Sequence, residues 1–524
     1  MKLRTYAASC AALALAACAA PASGPATAPA PSGGAPAGLT PAQAVATITP
    51  ADVFARIEFL ASDRMRGRNT PSPELELTAE YLVNQYKLMG FTAGGENNSF
   101  LQWYPYPLRQ LDAAGARLEV AGAGGTTRLA YGRDFFASGG TAQPLSSAAL
   151  AYAGRGADAV LAEGSLRGQL AVVAIPGRYT RDWRLERTRL RNAAQRAGAQ
   201  AVVFVLDPSW TADSVARYAQ TAQAPSRTLG GQVAYPMFFV TQDAARRVFS
   251  AGGLSLDEQW RGAEGVTRIV PLAGATATAA LPVRTLDEGR APNVVAVLPG
   301  SDPALRDEYV VLSAHMDGLG VGEAVDGDSI YNGADDDASG TTGLLEVAQA
   351  MSQLGVRPRR SIVFLHVSGE EKGLLGSEWY SDHPTLPLAQ TVANVNVDMI
   401  GRNAADSVVV IGKDYSTLGD VTNRLNTEHP ELNLTLADDM WPEQRFFFRS
   451  DHFNFARKEV PAIFFFSGVH ADYHRPSDEV ETIDTDKATR ISRMVFYLVY
   501  DIANNPQRPQ WDPRGLEEVR SLTR

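Results

Sequence analysis

Cysteine is nearly absent from this chain of 524 residues, which contains only Cys10 and Cys18. Cys10 lies in a segment that we expect to be removed, so no pair remains to form a disulfide and no free thiol remains as a nucleophile. Histidine is absent from the first 314 residues, and all seven histidines lie between His315 and His474. This uneven distribution predicts metal chemistry in the C-terminal part of the protein.

Dense runs of lysine and arginine are also lacking, and the net charge is -10. Because a nucleic-acid-binding protein needs a basic surface, we expect no nucleic-acid partner. Three catalytic signatures are missing as well: H-E-x-x-H, G-x-S-x-G and G-x-x-x-x-G-K-[ST]. After the N-terminal segment, no apolar run reaches the roughly 18 residues of a membrane-spanning helix, so we expect the remainder to be soluble.

The N-terminus has the pattern of an export signal. Lys2 and Arg4 precede an apolar stretch at 7–17, which is too short to span a bilayer. The sequence Leu-Ala-Ala-Cys at 15–18 resembles a bacterial lipobox, in which the cysteine is acylated after cleavage. The alternative is an ordinary signal peptide cut at a nearby small residue. We expect a protein held by lipid on Cys18 to the cell envelope, at the periplasmic side of the outer membrane, or else a secreted one.

Composition and hydrophobic periodicity divide the chain into six segments. Residues 19–40 are mostly Ala, Pro and Gly and cannot bury a core, which is typical of a flexible tether. Residues 133–275 carry short β-rich runs but no His or Cys, and no paired carboxylates stand at a strand end, which favours a noncatalytic α+β domain inserted into the catalytic one. The segments are a signal peptide at 1–17, a tether at 18–44, the N-terminal part of the catalytic domain at 45–132, the inserted domain at 133–275, the catalytic domain at 276–510 and a tail at 511–524.

From residue 291 onward, apolar strands alternate with helices. Helical spacing is clear at 343–354, and earlier at 50–60 and 73–89. Alternation of this kind predicts an α/β fold in which helices cover both faces of a sheet, giving three layers. Ligands of such sheets gather at the carboxyl ends of the strands. The predicted strands are 293–298, 309–313, 361–367, 392–397 and 462–466.

Two adjacent carboxylates, Glu370 and Glu371, follow the apolar run 362–365. Two neighbouring acids at the end of a buried strand repel each other and cost desolvation energy, so a core has no use for them. A metal site would use both, since one carboxylate binds a cation while the other transfers protons.

Further candidate ligands follow other strands, namely His315 with Asp317, the aspartates 335–337, Asp398 and His474. The spacing of His315 and Asp317 suits a metal-bound imidazole whose second ring nitrogen donates to a carboxylate. The three aspartates precede an amphipathic helix, whose N-terminus favours anions. Each feature taken alone also fits a simpler role, such as a helix N-cap or a surface loop. Together they predict a metal site.

The donor types indicate which metal the site would hold. Two imidazoles and several carboxylates without thiols suit Zn²⁺, with Mn²⁺ or Co²⁺ as substitutes. His366 lies inside a predicted strand, so we expect it in the core or behind the ligands. His383, His429 and His470 have no supporting pattern and are predicted at the surface.

The order of these motifs resembles the co-catalytic di-zinc exopeptidases, a family that includes secreted bacterial leucine aminopeptidases, glutamate carboxypeptidase, glutaminyl cyclase and the non-enzymatic transferrin receptor. The resemblance extends over about residues 45–505 and implies a three-layer α/β/α domain with a mixed sheet. The inserted segment 133–275 is similar to a protease-associated domain, which often accompanies this family. The sequence motifs at 168–173 and 197–202 are the basis of that similarity.

The resemblance implies a role for each candidate residue. Asp336 would bridge two zinc ions, and the bond between Asp336 and Asp337 would be a cis peptide. Glu370 would be the general base, Asp317 would orient His315, and Tyr473 would assist at the oxyanion. The metal ligands would be His315, Asp336, Glu371, Asp398 and His474. The residues that line the substrate pocket would be Arg449, Asp451 and His452.

The expected activity is that of an aminopeptidase acting on peptides. A carboxypeptidase with the same site is the nearest alternative, and Arg445, Arg449 and Arg475 would supply its cationic pocket. Glutaminyl cyclase is disfavoured because that chemistry uses one zinc. A receptor-like binding protein is the alternative from another class, but such proteins lack a complete ligand set, whereas every position is filled here. Aromatic residues near the expected pocket, such as Trp441 and Phe446, favour an apolar side chain in the substrate. Oligomeric state is not readable from the sequence.

Overall fold

The computed structural model describes most of the chain after the N-terminal segment, at residues 38–156, 161–177, 180–231, 233–261 and 269–523. The predicted signal peptide and the proposed acylation site at Cys18 lie outside this part, so both stay predictions. Among the described helices, none combines the length and the apolar character needed to cross a bilayer.

Helices and strands alternate through the described residues. The helices, α1 to α13 in chain order, are Pro41–Val45, Pro50–Leu60, Pro73–Leu88, Arg181–Arg196, Ala212–Thr221, Gln242–Ala251, Leu256–Arg261, Gly340–Ser352, Leu375–Asp382, Leu418–Glu428, His452–Ala456, Thr485–Asn504 and Pro513–Thr523. The strands, β1 to β22, are Thr92–Ala93, Leu101–Pro105, Leu108–Leu111, Arg117–Gly122, Gly125–Leu129, Phe135–Ser138, Leu145–Arg155, Leu170–Ile175, Ala201–Leu206, Ser226–Arg227, Met237–Val240, Val270–Ala280, Val283–Asp287, Arg290–Leu298, Tyr309–His315, Gly320–Val325, Asp328–Tyr331, Ser361–Val367, Thr391–Val397, Ser407–Ile411, Thr435–Ala437 and Ala462–Phe466.

The two predicted N-terminal helices, α2 and α3, are confirmed and begin at clear sequence signals. The Thr49 side chain accepts a hydrogen bond from the backbone at the start of α2, and Pro50 occupies the first helical position. At the start of α3, the Ser72 side chain likewise accepts a backbone hydrogen bond, and Pro73 occupies the first helical position. The chain leaves α3 at Gly90, whose φ of 76° lies in the left-handed region that glycine tolerates best.

The larger sheet has nine strands in the order β1-β14-β18-β15-β19-β22-β20-β21, with β2 also paired to β14. Its central strands β18, β15, β19 and β22 are parallel, whereas β14 and β20 are antiparallel to their neighbours β18 and β22. Helices α2, α3, α8 and α12 cover one face, and α9 and α11 cover the other. The predicted three-layer α/β/α fold with a mixed sheet is confirmed, as are all five predicted strands.

A second sheet of eight strands has the order β5-β4-β12-β7-β8-β9-β11-β6. Helix α6 packs on one face and α4 and α5 on the other, because alternate apolar residues of β8 and β9 point to opposite sides. The predicted limits of 133–275 are too narrow, since β4 and β5 pair within this sheet and β12 continues to Ala280. The assignment of this layer as a protease-associated domain stays a prediction.

The packed body begins earlier than the predicted end of the tether at residue 44. The Leu39 amide donates to the Gln353 carbonyl at 2.8 Å, and Thr40 and Gln43 form a capping box that starts α1. The side chain of Val45 is buried at the end of this helix. Residues 39–44 therefore belong to the folded domain, because apolar side chains and a helix cap follow directly on the Ala/Pro/Gly-rich sequence.

The predicted C-terminal tail at 511–524 is also part of the packed structure. The Trp511 indole donates to the Glu459 carbonyl at 2.8 Å, and α13 follows. Val519 on this helix is buried. The sequence did not indicate this packing, because the apolar contact comes from residues spaced along one face of a short helix near the chain end.

His366 on β18 lies in the core, as predicted, and makes the fold sensitive to acid. Its Nε2 atom lies 2.7 Å from the Tyr86 hydroxyl, and burial lowers its pKa to about 3. An unfolded chain binds a proton at this histidine below its ordinary pKa of about 6.5, whereas the folded protein does not. The stabilising contribution of neutral His366 is therefore complete above pH 6.5 and is lost as pH falls toward 3.

We expect His366→Asn to flatten this pH dependence. Between pH 6 and pH 4 the free energy of unfolding of the parent protein should fall more steeply, by about 1.4 kcal/mol per pH unit, than that of the variant. Urea unfolding of the metal-free proteins at a series of pH values measures the difference. Other titrating groups act on both proteins and cancel in the comparison. Parallel curves would contradict the prediction.

Candidate metal centre

The central parallel strands bring the predicted site residues to one edge of the larger sheet. Strands β15, β18, β19 and β22 all end at this edge, and the polar residues lie at or just beyond their carboxyl ends. The candidate residues at these ends are His315, Asp317, Glu370, Glu371, Asp398 and His474. The loop 334–339, which precedes α8, lies against them.

The Asp336 carboxylate lies between two groups of candidate ligands. Its Oδ1 atom is 3.1 Å from His315 Nε2, which lies 3.6 Å from Asp398 Oδ1. Its Oδ2 atom is 3.2 Å from His474 Nε2, which lies 3.3 Å from Glu371 Oε2. One carboxylate thus offers an oxygen to each group, which is the arrangement expected of a residue shared by two cations.

Asp337 has a different role, although its ligand atom lies within 4.8 Å of those of His315 and Asp398. Its Oδ1 accepts hydrogen bonds from the amides of Gly340 at 2.8 Å and Met399 at 3.1 Å, and its Oδ2 accepts from the His315 amide at 3.2 Å. Because backbone amides use both oxygens, Asp337 holds the loop in place. The preceding peptide bond, from Asp336 to Asp337, is cis as expected.

The electrostatics of these groups favour positive charge at the points where the side chains converge. Burial lowers the pKa of His315, but the negative charge of Asp398 and the nearby carboxylates of Asp317 and Asp336 outweigh it and hold the pKa well above its usual value. Burial likewise lowers the pKa of His474, and its hydrogen bonds to acidic partners raise it to about 10. Carboxylates that draw protons onto both imidazoles would also draw cations.

Two buried atoms point to the same conclusion. His315 Nε2 and Asp398 Oδ1 lack a hydrogen-bond partner among the described residues. Buried polar atoms without a partner are costly in a folded protein, and a cation between them would remove that cost. Because the donors are imidazole nitrogens and carboxylate oxygens, the residues present fit zinc.

Asp317 connects the imidazole to the glutamate pair. His315 Nδ1 lies 3.2 Å from the Asp317 carbonyl oxygen and 3.7 Å from its Oδ1. The same Oδ1 accepts a hydrogen bond from the Glu370 amide at 3.2 Å. Asp317 can therefore fix the orientation of the His315 ring and the position of the Glu370 backbone together.

A small pocket opens beside Asp336 and Asp398. Glu370 and Tyr473 line it, and burial raises the pKa of each, well above the usual value for Glu370. A carboxyl group with a raised pKa can accept and return a proton near neutral pH. The apolar lining consists of Met399, Phe446, Phe464, Phe466 and Val469.

Of the three predicted substrate-pocket residues, only Arg449 lines this pocket. Its guanidinium lies 4.7 Å from the centre of the Phe446 ring. Asp451 and His452 are fully buried, so the prediction that they line the pocket is wrong. The chain turns into α11 at this point, which directs Asp451 to the Ser377 hydroxyl at 2.5 Å and stacks His452 in the aromatic core.

Sequence reasoning missed the polar groups behind Asp398. The Ser450 hydroxyl donates to Asp398 Oδ2 at 2.8 Å, and the Asn396 amide donates to Ser450 Oγ at 2.9 Å. Asn396 in turn accepts from the Ser313 hydroxyl at 2.7 Å. The signal was present, since asparagines alternate with valines in β19, where an apolar strand was expected.

The prediction of a surface position for His470 is also wrong. Its side chain is nearly buried, and Nε2 lies 3.3 Å from Asp335 Oδ2. His383 is exposed as predicted, and His429 is partly exposed. The loop that carries His474 folds back over the aspartate loop, which the sequence does not indicate.

Residues 293–499 match the model of peptidase family M28. A probable leucine aminopeptidase of Trichophyton verrucosum is 24% identical over 220 residues, or 40% of this chain and 58% of that protein. Aminopeptidase YwaD of Bacillus subtilis is 27% identical over 216 residues, or 39% of this chain and 43% of that protein. The matched stretch therefore spans about half of each relative.

A solved structure of the aminopeptidase from Aneurinibacillus sp. strain AM-1 is also similar to this chain. It is 20% identical, and the alignment covers 90% of this chain and 98% of that one with a TM-score of 0.46.

Proposed function

We propose that the protein is a zinc-dependent exopeptidase, an aminopeptidase that removes N-terminal residues from peptides, since residues 293–499 match the model of peptidase family M28. The observation that carries the proposal is the Asp336 carboxylate, whose two oxygens approach His315 and His474 at 3.1 and 3.2 Å. Glu370 lies in the adjoining pocket, where a substrate carbonyl could reach it. The names of the matched relatives agree with this activity.

In this proposal each chain holds two zinc ions, for which Mn²⁺ or Co²⁺ could substitute. His315 and Asp398 would hold one ion, and Glu371 and His474 the other. Asp336 would be shared by both. The complete set of ligands supports an enzyme over a receptor-like protein that only binds.

The chain's own residues supply the remaining parts of the reaction. When bound, the cations would lower the pKa of a water molecule and polarise the scissile carbonyl. Glu370 accepts a proton from the attacking water and returns it to the leaving amine. The Tyr473 hydroxyl donates a hydrogen bond to the oxygen on which negative charge develops. Asp317 keeps His315 in one tautomer and orientation throughout.

The pocket favours an apolar residue at the substrate's N-terminus, because aromatic and aliphatic side chains, among them Phe446, Phe464 and Phe466, line it. The arginines that a carboxypeptidase would use do not converge on it. Arg449 lines this pocket, Arg475 lines a separate one beside His474, and the Arg445 guanidinium lies over the Phe448 ring at 4.9 Å. This separation of positive charge supports the aminopeptidase over the carboxypeptidase.

We expect the purified protein to cleave a leucine-linked fluorogenic amide and to discriminate against its N-acetylated form by about 100-fold or more. Acetylation removes the free amine that an aminopeptidase recognises and leaves the scissile bond unchanged. A chelator should abolish the activity, and added zinc should restore it. Initial rates with and without chelator measure both effects.

The alternatives give different results in the same assay. Preference for peptides with a free C-terminal carboxylate over their C-terminal amides would identify a carboxypeptidase. Full zinc content without cleavage of any peptide would indicate a receptor-like protein and overturn the proposal.

A further inference from the structure

A short segment at residues 67–70, upstream of α3, contacts three of the loops that carry candidate ligands, and we call it the strap. Arg68 is at its centre and is 1% exposed. Its guanidinium donates four hydrogen bonds, and every acceptor is a backbone carbonyl. The acceptors are the carbonyl oxygens of Leu60 at 2.6 Å, Asn332 at 2.8 Å, Gly333 at 3.0 Å and Met316 at 3.1 Å.

These carbonyls belong to the loops that position the metal ligands. Met316 lies between His315 and Asp317, and Gly333 lies three residues before Asp336. The planar fork of one guanidinium therefore ties the loop after β15 to the loop before α8. A lysine could not span both, because its ammonium donates from a single point.

Thr70 extends the strap to the third loop. Its hydroxyl donates to Asp317 Oδ2 at 2.9 Å and accepts a hydrogen bond from the Gly369 amide at 3.0 Å. Gly369 directly precedes Glu370, and Thr70 is 2% exposed. One hydroxyl thus links the carboxylate that orients His315 to the start of the glutamate pair.

The backbone at the start of the strap, together with the preceding Arg66, is held in an unusual conformation. Arg66, Gly67 and Arg68 have φ values of 45°, 65° and 48°, all in the left-handed region that residues other than glycine rarely adopt. A Cβ atom on Gly67 would lie 2.8 Å from the Gly320 carbonyl oxygen, so only glycine fits. Such strain persists where surrounding contacts determine the conformation, and it is frequent at functional sites.

We propose that the strap is a positioning element of the metal centre, in which Arg68 and Thr70 fix the three ligand loops in the arrangement that binds metal. The inference rests on the proposed function, because it requires that this site bind zinc. Neither Arg68 nor Thr70 is itself a candidate metal ligand. Outer contacts of this kind typically contribute about 10–100-fold to metal affinity.

Charge alone predicts the opposite result. Arg68 lies near Asp317, Asp337, Asp478 and Asp336, and its positive charge would repel a cation at the site. Removal of the charge would then tighten zinc binding, whereas loss of positioning would weaken it. Arg68→Lys separates the two effects because it keeps the charge and loses the fork.

The test measures zinc affinity of the full-length protein by competition with a chromophoric chelator, with zinc alone as the ligand. Arg68→Lys is expected to bind zinc about 10–100-fold more weakly than the parent. Arg360→Lys is the matched control. Arg360 is equally buried and donates to the Ile502 and Pro506 carbonyls, but its partner Glu308 lies before β15, at the opposite end of that strand from His315. Its variant should lower Tm and leave zinc affinity unchanged.

Thr70→Val provides a second variant that removes the hydroxyl with little change in volume. It should also weaken zinc binding about 10-fold or more. If Arg68→Lys fails to fold, the zinc affinity of Thr70→Val tests the positioning role of the strap. Zinc affinity within twofold of the parent in the folded strap variants overturns this inference and leaves the proposed function intact. A parent protein that binds no zinc overturns the proposed function itself.

Discussion

Glu370→Gln is expected to lower kcat by about 10²-fold or more while the zinc content stays at that of the parent. Glutamine has the shape of glutamate but cannot accept a proton, so the variant loses the base and keeps the pocket. The candidate ligand groups do not include Glu370, whereas its neighbour Glu371 lies 3.3 Å from His474 Nε2. Steady-state kinetics on a leucine-linked fluorogenic substrate and elemental analysis of zinc measure the two quantities.

Glu378→Gln is the matched control for this experiment. Glu378 lies on α9, is partly buried, and has a pKa that burial raises, but it does not line the pocket. Its replacement should leave kcat and zinc content unchanged. If Glu370→Gln retained full activity, the assignment of the base would be wrong. A loss of zinc in that variant would instead make Glu370 a ligand.

Asp336→Asn is expected to lose metal as well as activity. The neutral amide offers a single weak oxygen ligand in place of two anionic ones, so the shared position between His315 and His474 is lost. Outer contacts contribute about 10–100-fold to metal affinity, and the loss of a direct, shared ligand should exceed the upper end of that range. Zinc content after dialysis and kcat/KM at limiting zinc measure the effect.

Asp382→Asn is the control, since Asp382 is the last residue of α9 and pairs with Arg457 and Lys458. It should keep both zinc and activity. Circular dichroism would verify that Asp336→Asn is folded. Full zinc occupancy in a folded Asp336→Asn would remove Asp336 from the ligand set, and Asp337, whose oxygens accept backbone amides, would then need to be reconsidered.

Several features of the site could be predicted because they depend on local sequence. The pair Glu370–Glu371 follows a strand in which every residue is apolar or buried, and no core would place two carboxylates there. His315 is likewise the last residue of β15, Asp317 follows that strand, and Asp398 follows β19. The carboxyl ends of parallel strands lie at one edge of a sheet. The sequence alone therefore predicts that residues far apart in the chain meet there.

Other features depend on contacts that leave no trace in a sequence read along its length. Asp451 and His452 follow Arg449 closely, yet a turn into α11 buries them and leaves Arg449 in the pocket. Arg68 lies more than two hundred residues from Met316 and Gly333, and nothing near it in the chain marks it as buried. The predicted limits of the inserted layer, 133–275, are too narrow because β4 and β12 are far apart in the chain but pair in the same sheet.

The sequence by itself determined the class of fold and the kinds of donor at the centre, because strand periodicity and residue chemistry are local properties. Only the tertiary structure decided which oxygen faces which imidazole. Asp336 and Asp337 are adjacent and identical in type, but one carboxylate lies between His315 and His474 while the other accepts amides from the backbone. That difference arises from the packing of loops against one another, which the strap at residues 67–70 helps to hold.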